Sequence, residues 1–205
     1  GASGNAVRFF GGRDAAATFE SPTVTNLSAA AWIRVTDMGS GDKPYPRVFE
    51  IPGCYLHLTE NEPGVLTLVF GCHPGEKGAG SWSGSGAVLS TGVWAHVAVT
   101  CACDKTNAPV FYVNGRRLPC SAGKSPFLAA PLKPGRGVLG NTASSGNRPY
   151  HGLLSDVRMY EGILSPRDVA LLARRTPDGE RPVEIKKTFR DELPLADISH
   201  GRKRQ

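Results

Sequence analysis

The sequence predicts an all-β chain folded as a two-sheet antiparallel sandwich with one short C-terminal helix. Apolar residues alternate with period two through many short runs, which is the spacing of strands with one buried face. Gly (25) and Pro (16) make up roughly a fifth of the 205 residues, as tight turns between short strands require. The dipeptide Asn114-Gly115 also separates two such runs as a two-residue hairpin turn would.

The alternating runs, in order, are Ala6 to Phe10, Ser28 to Val35, Val48 to Ile51, Cys54 to Thr59, Val65 to Cys72 and Trp94 to Cys103. Val110 to Val113 and Arg116 to Leu118 flank the Asn-Gly turn, and Gly137 to Gly140 and Gly152 to Tyr160 complete the set. The Gly/Ser-rich stretch from Gly75 to Gly86 reads as a long loop carrying one large aromatic, Trp82. Trp32 and Trp94 lie in alternating runs and read as sheet-packing residues. The helix spans Ser165 to Ala173, with Ser165 as N-cap, Pro166 in the first helical position and Asp168 in the first turn. Residues 1–175 form the expected sandwich, and residues 176–205 a charged C-terminal extension. Phe189, Leu193, Leu195 and Ile198 would anchor that extension if it packs.

Five cysteines allow at most two intrachain bridges. The strands around Asn61-Glu62-Pro63-Gly64 oppose residues whose numbers sum to about 126, and Cys54 with Cys72 satisfies that sum. A cross-strand bridge fits this opposition, with two buried thiols as the alternative. A bridge would favour an oxidising compartment. Ala2 and Ser3 resemble the small residues that follow a removed export signal, so a secreted or extracytoplasmic location is expected. Cys101, Cys103 and Cys120 leave a second pairing open, and Cys101-Ala-Cys103 lacks the spacing of a zinc knuckle.

The chain is 40% hydrophobic and 20% charged, which suits a packed body. Its net charge of +6 is spread along the sequence. No strand interleaves basic and aromatic residues on one face, so a nucleic-acid partner is not expected. No apolar run reaches the ~18 to 20 residues that would insert into a bilayer.

Four segments in order resemble the laminin-G-like (LamG) domains of the concanavalin A-like lectin/glucanase superfamily. They are Ala30-Ala-Trp-Ile-Arg34, Gly92-Val-Trp-Ala-His-Val-Ala-Val-Thr100, Phe111-Tyr-Val-Asn-Gly115, and His151 to Tyr160 leading into Leu164-Ser165. The resemblance spans about Ala6 to Ala173 and implies a jelly roll. It also implies a calcium site, with carboxylates near the first strand and in the Asp156 strand. The candidate ligands are Asp14 and Asp156, although Phe10 stands where relatives often carry an acid. The alternative makes Asp14 a turn residue and Asp156 a strand-end acceptor.

The superfamily also contains polysaccharide-degrading enzymes, glycoside hydrolases and lyases. Retaining glycosidases need two carboxylates ~5 to 5.5 Å apart, and Glu50, Glu60 and Glu62 fall singly or in a turn. Tyr55 and His57 read as split between the core and the solvent face. The lyase residue patterns and a Gly-x-Ser-x-Gly elbow in strand-to-helix context are missing. A non-catalytic binding module is therefore expected, with carbohydrate as the first partner class. A protein-interaction or adhesion role in a larger cell-envelope protein is the second, with a cell-surface protein as partner. For a sugar, Trp82 and Tyr150 would be stacking surfaces, and Arg148, Asn147, His73 and Arg47 hydrogen-bond partners.

Overall fold

Two antiparallel sheets form because nearly every strand has one apolar face, and two such faces bury each other. The computed structural model describes residues 6–39, 45–72, 80–102, 107–123, 131–174 and 177, with the side chains of 86–88 excepted. The strands, in chain order, are β1 (Val7–Phe10), β2 (Ala17–Ser21), β3 (Asn26–Asp37), β4 (Arg47–Ile51), β5 (Cys54–Glu62), β6 (Val65–Cys72) and β7 (Gly80–Ser90). They continue with β8 (Ala95–Ala102), β9 (Val110–Val113), β10 (Arg116–Leu118), β11 (Cys120–Ala122), β12 (Gly135–Leu139) and β13 (His151–Glu161), followed by α1 (Pro166–Leu172). One sheet has the order β1-β13-β3-β8-β9-β10 and the other β11-β7-β6-β5-β4-β12-β2. Non-consecutive neighbours in both sheets are the crossovers of a jelly roll.

The core lies between the sheets. Ala29, Ala31, Ile33 and Val35 of β3 and Val97, Val99 and Cys101 of β8 meet Leu56 and Leu58 of β5 and Leu66, Leu68 and Phe70 of β6. The β5–β6 register matches the expected sum of 126 from Cys54↔Cys72 through Glu60↔Leu66, before a bulge at Glu62↔Val65. Cys54 and Cys72 are thus directly opposed and buried, but no disulfide joins them. The Cys72 thiol is directed at the Gly80 carbonyl oxygen, 3.6 Å away. The opposition that a cross-strand bridge needs is thus present.

The Asn114-Gly115 turn takes positive φ at both residues, 49° and 76°, as a hairpin of this length requires. Asn114 also fastens the hairpin to β8. Its N–H donates to the His96 carbonyl at 2.7 Å, and its Oδ1 accepts from the His96 N–H at 2.9 Å. The helix is capped as expected: the Ser165 hydroxyl accepts from the Asp168 N–H, and the Asp168 carboxylate accepts from the Ser165 N–H. Val169 and Leu172 then pack on Ala30, Ala98 and Tyr112, covering part of the outer face of the six-stranded sheet. The extension at 178–205 and the residues His73 and Cys103 lie outside the described residues.

The Gly/Ser-rich stretch departs from expectation. From Gly80 onward it is strand β7, pairing with β6 and β11. Trp82 is 5% exposed, and its ring lies 6.4 Å from that of Phe70. It is therefore a core residue and no loop platform. Gly80, Trp82 and Gly84 are buried while Ser81 and Ser83 alternate with them, so the strand period is present in residues of low β propensity. Trp82→Ala is expected to cost about 3 to 5 kcal/mol of stability, the range for removing a large buried aromatic. Urea denaturation checks this, and a loss below ~1 kcal/mol would place Trp82 outside the core.

Candidate functional site

The outer face of the seven-stranded sheet carries a polar cluster that the alternation of β4 and β5 builds. Leu56 and Leu58 point into the core, so Tyr55 and His57, two residues apart, share the opposite face. This corrects the expectation that they are split: their rings stack, with centroids 5.4 Å apart and planes 19° apart. Tyr55 lies opposite Gly71 in the β5–β6 register. A Cβ at Gly71 would fall inside the Tyr55 ring, so the glycine gives the ring its bed.

A bulge in β4 sets Arg47 opposite His57 and Glu50 opposite Tyr55. Arg47 is 7% exposed, and its guanidinium carbon sits 3.5 Å from the Tyr55 ring centroid. Its Nη1 donates to His57 Nδ1 at 2.6 Å. A guanidinium only donates, so His57 Nδ1 is the acceptor and the imidazole carries its proton on Nε2. Arg47 Nε lies 3.4 Å from Glu50 Oε2, an ion pair without hydrogen-bond geometry.

Burial, Arg47 and Arg148 push the His57 pKa down to about 3, which keeps the ring neutral. Burial lowers the Arg47 value, against the pull of Tyr55 and Glu50. It also raises the Tyr55 hydroxyl, opposed by Arg47.

The segment 141–148 docks on this cluster as a rim held by its own hydrogen bonds. Asn141, fully buried, donates through Nδ2 to the Gly12 and Arg13 carbonyls at 3.3 and 3.0 Å. Its Oδ1 accepts from the Thr142 and Arg148 N–H groups at 2.9 and 3.1 Å. Glu50 Oε1 accepts from the Ala143 N–H at 3.1 Å, and the Arg148 carbonyl accepts from the Arg47 N–H at 3.1 Å. The Thr142 hydroxyl accepts from the Asn147 N–H at 3.3 Å. Above the sheet, half-buried Tyr45 sits over His57 at 5.2 Å between ring centroids, and the Arg148 guanidinium sits 5.0 Å from the Tyr45 ring.

Of the residues expected to bind ligand, the structure gathers Arg47, Asn147 and Arg148. Trp82 is in the core. Tyr150 is fully buried, edge-on to Phe9 at 6.1 Å, and its hydroxyl donates to the Leu153 carbonyl at 3.3 Å, so it is no stacking surface either. His73 lies outside the described residues. Tyr45, Glu50, Tyr55 and His57 join the cluster without having been assigned to it from sequence.

Asp14 and Asp156 are not brought together, and as a pair they do not fit a calcium ion. Asp14 is exposed, and the Asn141 amide donates to the neighbouring carbonyls of Gly12 and Arg13. Asp156 lies five residues along β13 from His151, the partner of Phe10, roughly 16 Å at strand rise. It sits in a bulge with φ 47°, and its carboxylate accepts from Arg158 at 2.7 Å. Among the described residues no three His, Cys, Asp or Glu side chains gather as metal ligands do.

The buried imidazoles give a pH signature. Burial lowers His96 to about 4, and His57 is lowered to about 3, whereas the unfolded chain titrates near ~6.5. Below that value the unfolded state takes up protons that the fold refuses, so stability falls as pH drops from ~6.5 towards 5, above the carboxylate range. Denaturation midpoints at pH 7 and pH 5 are expected to differ, and the paired His57→Gln, His96→Gln variant should narrow the difference. Equal midpoints for the wild type would contradict it.

Comparison with known proteins places this architecture. No curated protein sequence is significantly similar to the chain. Among solved structures, the heptameric SAP-like pentraxin of Limulus polyphemus superposes with a TM-score of 0.64 at 16% identity, covering 85% of this chain and 86% of that one. A CBM40 domain of the Ruminococcus gnavus IT-sialidase, bound to α2,3-sialyllactose, gives 0.59 at 13% identity, covering 82% of this chain and 96% of that one. A putative carbohydrate binding protein from Bacteroides ovatus gives 0.58 at 17% identity, covering 91% of this chain and 50% of that one. At these identities the likeness is one of fold. The Laminin_G_3 family model matches residues 10–170, and the chain belongs to that family of the concanavalin A-like lectin/glucanase superfamily.

Proposed function

We propose that this domain is a non-catalytic, extracytoplasmic carbohydrate-binding module whose site lies where segment 141–148 meets β4 on the outer face of the seven-stranded sheet. The observation that supports it most is the stack of Tyr55, His57, Tyr45 and Arg148 around the buried Arg47 guanidinium. Sugar recognition needs an apolar ring face against the pyranose and fixed polar groups for its hydroxyls. Tyr45 supplies the ring, and Arg148 and the exposed Asn147 supply the polar groups. The hydrogen bonds of the rim hold these groups in place before a ligand arrives, which lowers the entropy lost on binding. The outer face of the opposite sheet is partly taken by α1.

The chemistry of the cluster favours binding over hydrolysis. Among the described residues Glu50 is the carboxylate on it, and Glu50 is already engaged by the Ala143 N–H and the Arg47 guanidinium. A glycosidase of the retaining or inverting kind needs a second carboxylate across the scissile bond. The carbohydrate-binding neighbours lend support to the sugar reading. A glycan partner in turn fits an extracytoplasmic setting.

A glycan array probed with the wild type and Tyr45→Ala tests this. Binding by the wild type, weakened roughly tenfold in the variant, is the expected result for loss of one aromatic platform. A silent array would hand the face to a protein partner, and binding indifferent to Tyr45→Ala would move the sugar site elsewhere.

A further inference from the structure

We infer that Cys54 and Cys72 form a disulfide that closes the open end of the β5–β6 hairpin, one residue from the bed of the Tyr55 ring. Cys54 begins β5 straight after the positive-φ turn at Gly53, and Cys72 ends β6. The two face each other in the antiparallel ladder, and both side chains enter the core. Directly opposed residues of such a ladder have Cα atoms ~4.5 to 5.5 Å apart, inside the ~4.4 to 6.8 Å that a disulfide spans. The other described cysteines have other neighbours. Cys101 lies on the six-stranded sheet opposite Leu27, and Cys120 lies on β11 opposite Gly84. Gly84 is four residues along β7 from Gly80, the partner of Cys72, roughly 13 Å at strand rise.

Cys72 Sγ is directed at the Gly80 carbonyl, on the β7 side of its strand, and rotation about χ1 turns it to the β5 side where Cys54 stands. The oxidant is a disulfide on another molecule. One cysteine thiolate attacks it and expels a thiolate, leaving a mixed disulfide; the second cysteine thiolate attacks the sulfur of the first and expels the other half. Two electrons pass to the oxidant, which leaves as two thiols carrying the two protons that the cysteines lose. Cys54 is 1% exposed and Cys72 0%, so exchange takes place while the sheets are apart, and the finished bond is sealed in the core once they close. The neighbouring pair in the ladder is Tyr55 with Gly71, so the bond pins β5 to β6 beside the glycine on which the Tyr55 ring lies. The hairpin is then held at both ends, by the turn before Val65 and by the sulfur bridge.

The test is peptide mapping of the intact domain refolded with glutathione disulfide, with every remaining thiol alkylated in denaturant. Cleavage after Glu60 puts the two cysteines on separate peptides. A linked pair holding Cys54 and Cys72, two hydrogens lighter than the reduced peptides, is the expected result. The oxidised domain should also melt roughly 5 to 10 °C above the same protein reduced in urea and refolded with reductant, the scale for closing a loop of this length. That gap should vanish in the Cys54→Ala, Cys72→Ala variant. Should the variant fail to fold, the peptide map and the wild-type melting pair still decide. Alkylation of both cysteines in the oxidised domain, or linkage of either to Cys101, Cys103 or Cys120, would overturn the inference. A melting gap unchanged in the variant would assign it to another pair and overturn it as well. The linked peptide beside a silent glycan array would leave the bridge standing without the sugar reading.

Discussion

A guanidinium buried on the outer face of a sheet is the constraint around which this structure is arranged. Arg47 is nearly inaccessible, and taking its charge out of water is unfavourable unless neighbouring groups compensate. Tyr55 offers its ring face, His57 a lone pair and Glu50 a charge. Each of these commitments propagates. Tyr55 needs the space left by Gly71, His57 must stay neutral, and Glu50 reaches up to hold the Ala143 N–H and with it the rim. The candidate site is thus continuous with the means of burying one charge.

The sandwich supplies the rigidity that makes such an arrangement worth building. Its two apolar faces fix β4 and β5 in register, so the outward residues inherit their positions from the inward ones. The bulge in β4 adds the local shift that brings Arg47 and Glu50 to His57 and Tyr55. Asn141 ties the first turn to the rim, so segments far apart in sequence share one support. Binding groups on such a support lose little freedom when a partner arrives.

Much of the fold was legible from local pattern. The β5–β6 register followed from alternation about a Pro-Gly turn, the β9–β10 hairpin from Asn114-Gly115, and the helix start from Ser165, Pro166 and Asp168. What stayed hidden was tertiary or low in propensity. Strand β7 is written in glycine and serine, so composition concealed an alternation that puts Trp82 inward. Tyr150 follows a polar loop, but its ring meets Phe9 from the other end of the chain. Of the site, Arg47, Arg148 and Asn147 stood out as polar candidates, but no local pattern brings residues about a hundred positions apart together. Tyr55 and His57 were misplaced although period two puts them on one face, and Tyr45 carried no local signal at all.

The proposed saccharide site is the outer face around Arg47. Amide chemical-shift mapping, as the domain is titrated with the best-binding oligosaccharide from the array, measures this directly. The perturbed amides are expected to concentrate at Tyr45 to Glu50, Tyr55 to His57 and 141–148. Perturbations concentrated on the six-stranded sheet or about the Asp14 turn, with that face silent, would contradict it.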